Sequence, residues 1–166
     1  MMEGNRPIPP YAAPEREMLA AYLDLHRATL ECKIEGLSED DAKRPMTPTG
    51  TNLLGMVKHL AYVERWWFQD VFAGRDCVYP WTDDDPDADF RIEPGETIES
   101  IFALYDAECE ESRRIVEGAS LDDIAARKKE QGYSLRRIVV HMIEETARHN
   151  GHADIIRELL DGKTGD

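Results

Sequence analysis

Positive charge is scarce in this chain. Lys and Arg together number 20 against 34 Asp and Glu, a formal net charge of -14. Nucleic-acid binders need clustered basic side chains facing phosphate, so no nucleic-acid partner is expected. Long apolar runs are missing too. Nothing approaches the roughly 20 residues that span a bilayer, so no membrane partner is expected either. Met1–Arg16 lacks the apolar stretch of a secretory signal. The three cysteines, Cys32, Cys77 and Cys109, are odd in number, widely spaced and form no CxxC pair. They suit reduced thiols in a cytoplasm better than a disulfide framework. No segment alternates apolar and polar residues long enough to suggest a strand.

Helical periodicity dominates what remains. Residues 1–13 hold three prolines and read as an irregular arm. A first helix is expected over 14–37, with Leu19, Leu23, Leu30 and Ile34 on its apolar face. Turn signals fill 38–50. Thr51 is the expected N-cap of a second helix that runs to Phe72 and stops at Gly74. Leu53, Val57, Leu60, Ala61, Trp67 and Val71 supply its stripe. A long connection over 75–96 carries the acidic run Asp83-Asp84-Asp85-Pro86-Asp87-Ala88-Asp89 between Trp81 and Phe90. It lacks the ligand order of a calcium loop and reads as a solvated turn pinned by its aromatic flanks. A third helix is expected over 97–117, a second loop over 118–133, and a fourth helix over 134–160 ended by Gly162. With 166 residues, one domain over 14–162 has room for a real core. The pattern reads as an all-α four-helix bundle.

The most informative pair lies in the last helix. Leu135, Ile138, Val139, Met142, Ile156 and Leu160 follow a helical period, and the stripe passes over Glu145, Thr146, His149 and Ala153. A carboxylate and an imidazole one turn apart thus stand where Leu would be expected. Burying a carboxylate is costly unless a cation or donors compensate it. A divalent metal ion would do so compactly. His59, beside Met56 and Val63 on the second helix, would complete a set of two His and one carboxylate with coordination positions left open. His141 sits four residues before Glu145 and either orients a ligand or bound molecule or is a partly buried residue touching solvent. His152 could replace one ligand or act beside the set. His26 has no patterned partner. Trp66-Trp67-Phe68 reads as core or dimer packing, with Trp66 able to wall a substrate pocket. Glu64 and Arg65 read as a solvated or interface pair.

Two stretches carry a family resemblance. Thr51-Asn-Leu-Leu-Gly-Met-Val-Lys-His-Leu, followed by Glu64-Arg-Trp-Trp-Phe, resembles the second helix of DinB-like proteins. His141-Met-Ile-Glu-Glu-Thr-Ala-Arg-His-Asn-Gly-His-Ala-Asp resembles their fourth. The likeness covers residues 14–162 and is nearest the branch of the mycothiol-dependent maleylpyruvate isomerase and thiol S-transferases. It implies a metal held by His59, Glu145 and His149. Many members carry His where Glu145 stands, and their Arg-Gly-Gln after the last ligand becomes Asn150-Gly151-His152 here. The resemblance further implies a metal-dependent transferase or isomerase acting on a small electrophile. Its cofactors would be a divalent ion (zinc foremost, with nickel, iron or manganese as alternatives) and a low-molecular-weight thiol such as mycothiol or bacillithiol. His141 and His152 are its candidate catalytic residues, Trp66 a candidate binding residue, and a homodimer its expected assembly. The residues also leave open a non-enzymatic metal or ligand binder, and a structural dimer in which Glu145 and His149 merely hydrogen-bond.

Overall fold

Four long helices and one short one form the domain in this computed structural model, which describes residues 6–164. They are α1 (Glu15–Ile34), α2 (Glu39–Ala42), α3 (Leu53–Glu64), α4 (Ile98–Gly118) and α5 (Leu135–Asp161). Among the described residues there is no strand, only isolated bridges at Thr82–Asp85 and Ile124–Ser134. The expected arm over 1–13 lies in part, at residues 1–5, outside the described residues; residues 6–14 form no helix. No helix among the described residues is long and apolar enough to cross a membrane.

Side-chain caps set the helix starts. The Ser134 hydroxyl accepts from Arg137 N–H, and Thr97 forms a reciprocal capping box with Ser100. The second long helix starts one residue later than expected, because Asn52 rather than Thr51 accepts from Gly55 N–H. Thr51 instead receives the Met46 N–H on its carbonyl. The short α2 was hidden among turn signals. Ser38 caps it and three acids, Glu39, Asp40 and Asp41, fill its first turn, where the helix dipole favours negative charge. Beyond Glu64 the third helix widens into a π-helical segment, Arg65–Phe72, rather than continuing as α. Gly162 ends α5 at φ +77°, a left-handed position that lets its N–H reach the Glu158 carbonyl.

The apolar interior comes in two parts. One gathers Leu30, Ile34, Leu53, Val57, Leu60, Ile101, Tyr105, Ala153 and Ile156. The other gathers Leu23, Phe68, Val71, Leu121, Leu135, Ile138, Val139 and Met142. Along every long helix a buried polar residue lies between the two: Arg27, Glu64, Ser112, and Thr146 with Asn150. A polar layer thus crosses the bundle at mid-height. Glu64, expected with Arg65 as a solvated or interface pair, is 1% exposed. Arg27 of α1 explains this: its Nε donates to Glu64 Oε1 at 2.8 Å and its Nη2 to Oε2 at 2.7 Å. Arg65 pairs with Glu108 of α4 at 2.6 Å.

Removing one partner of a buried pair strands the other charge and costs about 3–5 kcal/mol. Glu64→Ala should destabilise the fold by that amount in urea denaturation. A loss of under about 1 kcal/mol, the scale of an exposed pair, would show that the layer does not hold the bundle.

Candidate metal centre and its cleft

Helical geometry places residues four apart on one face, one above the other. Glu145 and His149 of α5 obey it: His149 Nε2 is 3.3 Å from Glu145 Oε1. Both side chains are largely but not fully covered, at 16% and 12% exposure. From α3, His59 brings its ring centroid to 5.0 Å from that of His149. One ligand atom from each of His59, Glu145 and His149 lies within 4.8 Å of the other two. Two helices far apart in sequence therefore deliver two imidazoles and a carboxylate to one point.

The His59 ring is fixed from outside its helix. Its Nδ1 is 2.7 Å from Oδ2 of Asp89, and its face stacks on Phe90 at 3.9 Å and 16°. A carboxylate only accepts, so Nδ1–H is the donor, and the neutral form of the ring that fits this bond has its lone pair on Nε2. Asp89 belongs to the acidic run expected as a solvated turn, yet it is buried. Asp83, Asp84 and Asp87 do lie exposed. The flanking aromatics are pinned as expected, Phe90 on His59 and Trp81 stacked on Tyr79 at 4.3 Å. The sequence signalled anchoring through these flanks but not which aspartate turns inward.

The donor set fits a divalent ion. Imidazole and carboxylate are the usual nitrogen and oxygen ligands of zinc and its neighbours, and three protein ligands leave a position open. Burial, with His59 nearby, pushes the His149 imidazole below its ordinary pKa against the opposing pull of Glu145. The neutral, ligating form is thereby favoured. His149 Nδ1 is buried with no hydrogen-bond partner among the described residues, so an acceptor or donor is wanted on this ring. The second Glu145 oxygen has Arg148 Nη1 at 3.8 Å as a cationic neighbour.

A cleft of about 490 Å³ opens beside the set. This is within the size range of small-molecule sites. His59, Glu145, His141, Trp66, Trp67, Trp81 and Phe90 are among its walls. His141 stands edge-on to Trp67 at 4.8 Å, with Nδ1 3.5 Å from Glu144. Trp66 carries Lys128 Nζ above its ring at 4.4 Å. His152 is exposed, edge-on to His149 at 5.7 Å, and is not among the cleft walls. His26 lies on α1 and is not part of the set; its carbonyl accepts from Asn150 at 2.9 Å. Trp67 and Phe68 are buried within this chain and Trp66 faces the cleft, so the aromatic cluster is used internally. A larger groove of about 960 Å³, between 43–52 and 85–96, contains none of the three candidate ligands. Its cations are already engaged, Lys43 with Glu39 and Arg91 with Asp85.

Residues 18–162 match the family model described as mycothiol-S-transferase. No curated protein matches the chain. Among solved structures, the crystal structure of a conserved protein from Enterococcus faecalis superposes with a TM-score of 0.67, covering 92% of this chain and 100% of that one at 14% identity. At that identity the likeness speaks for the fold alone.

His149→Ala should abolish stoichiometric metal in protein purified without an affinity tag and measured by elemental analysis. His26→Ala should leave the content unchanged. Full retention in the first variant, or loss in the second, would mean that other residues hold the ion.

Proposed function

Because the chain belongs to the mycothiol-S-transferase family, a DinB-like family, we propose that it is a divalent-metal-dependent enzyme joining a low-molecular-weight thiol to a small electrophile. The observation that carries this reading is the meeting of His59, Glu145 and His149 within 4.8 Å, at the wall of an aromatic cleft. His59, Glu145 and His149 would hold the ion, zinc foremost. When bound, it would supply a Lewis acid that lowers the pKa of a thiol.

The chain's own groups account for the rest. Trp66, Trp67 and Trp81 give the cleft flat apolar walls that would bind the electrophile and exclude water. Holding thiol and electrophile together removes an entropic barrier worth several kcal/mol. His141 is the cleft imidazole outside the ligand set, and its role would be to take the thiol proton. Sulfur then bonds to the electrophilic carbon, and a leaving group departs with the electron pair. In an isomerase the adduct would instead rotate and expel the thiol again. His152, exposed and against His149, is the alternative proton carrier, acting from the solvent side.

Zinc-loaded protein should accelerate the coupling of mycothiol to an aryl halide, and removing the metal with a chelator should abolish the rate. His141→Asn should lower kcat about 100-fold while leaving metal content intact. Thiol consumption no faster than in buffer, across a panel of thiols and electrophiles, would leave a binding protein rather than an enzyme.

A further inference from the structure

The long connection between α3 and α4 is fastened to α3 at adjacent positions. Lys58, itself buried, donates from Nζ to the Arg91 carbonyl at 2.7 Å and to Glu96 Oε2 at 2.8 Å. His59 meets Asp89 at 2.7 Å. One turn earlier, Gly55 gives the connection room to approach. A Cβ there would stand 2.2 Å from the Phe90 carbonyl oxygen, closer than real Cβ atoms come to backbone. The short 3₁₀ turn Ala88–Phe90 therefore lies directly on the helix that carries His59, with its carboxylate and its aromatic ring both on that imidazole.

We propose that Asp89 is the positioning residue of the metal centre: it holds His59 in the Nδ1–H tautomer and aims Nε2 at Glu145 and His149. This rests on the reading of those three residues as the ligand set. The chemistry is general. A histidine that donates its second N–H to a carboxylate is fixed in tautomer and rotation and is a more basic ligand. Asp89 suits that task because it is 4% exposed, so water competes little for the bond. The backbone on either side of it is held by bonds that do not depend on the ion, Phe90 N–H to the Asp87 carbonyl and Lys58 Nζ to the Arg91 carbonyl. The acidic connection thus acts as a brace on the centre, and Asp89 is the member of its run that reaches His59.

The test compares wild type, Asp89→Asn, Asp89→Ala and Asp83→Asn, an exposed residue of the same run. Zinc affinity is read by chelator competition, and the His59 tautomer by ¹⁵N NMR of the metal-free protein. Asp89→Ala should weaken zinc about 10- to 100-fold and Asp89→Asn by less, with one ion still bound at saturation. Asp83→Asn should match wild type. In metal-free wild type His59 should be the Nδ1–H tautomer, and in Asp89→Ala a mixture. The tautomer reading is unmoved by a purely packing role and needs no metal. Wild type that binds no ion would overturn the ligand set and this proposal together. Wild-type uptake with an unchanged affinity and tautomer in Asp89→Ala would overturn this proposal alone.

Discussion

The candidate metal centre makes one geometric demand on the bundle: three atoms on two helices must lie within 4.8 Å of one another. Glu145 and His149 meet it by local geometry, since α5 stacks them one turn apart. His59 meets it only if α3 stays in register with α5. Direct packing between those helices is lighter than that of α1 on α5 or α3 on α4. Register therefore comes from elsewhere. Arg27 ties α1 to α3 through Glu64, and Asn150 ties α5 to α1 by donating to the His26 carbonyl at 2.9 Å. These polar bonds link α3 to α5 by way of α1, while the main packing partner of α3 is α4 and that of α5 is α1.

The polar layer and the candidate centre share the middle of the molecule. On α5, Thr146 and Asn150 are buried in the layer, while Glu145 and His149 meet His59 and Glu145 also lines the cleft. A bundle built for stability alone would fill these positions with Leu and Ile, because apolar replacements of buried pairs are often more stable. Polar groups here supply directional bonds instead, such as the two from Arg27 to Glu64. The π-helical segment falls in the same region, carrying Trp66 at the cleft and Trp67 in the core beside it. Irregular turns of this kind are common near functional sites.

Legibility in the sequence followed the range of each interaction. The last helix, its Ser134 cap and the Glu145–His149 pair are local, so periodicity and spacing exposed them. His59 could be joined to that pair because a bundle core takes ligands from facing helices, and the family resemblance pointed to the same residue; periodicity alone says which face a residue takes but not which helix it meets. Asp89 was unreadable: the five aspartates of the run look alike, and only the folded turn selects the one that points inward. Glu64 was misjudged for a similar reason, since its partner Arg27 sits 37 positions away. The shift of the α3 cap from Thr51 to Asn52 is a smaller error between adjacent capping residues. The all-α bundle itself was legible throughout, because amphipathic helices without alternating segments admit few other architectures.

The ligand set is the claim on which the chemistry rests, and anomalous diffraction at the zinc edge of zinc-loaded crystals tests it most directly. The account predicts one strong peak about 2.0–2.2 Å from a nitrogen of His59, an oxygen of Glu145 and a nitrogen of His149, with at least one further position open. A peak elsewhere, or none at these three side chains with zinc in excess, would contradict it.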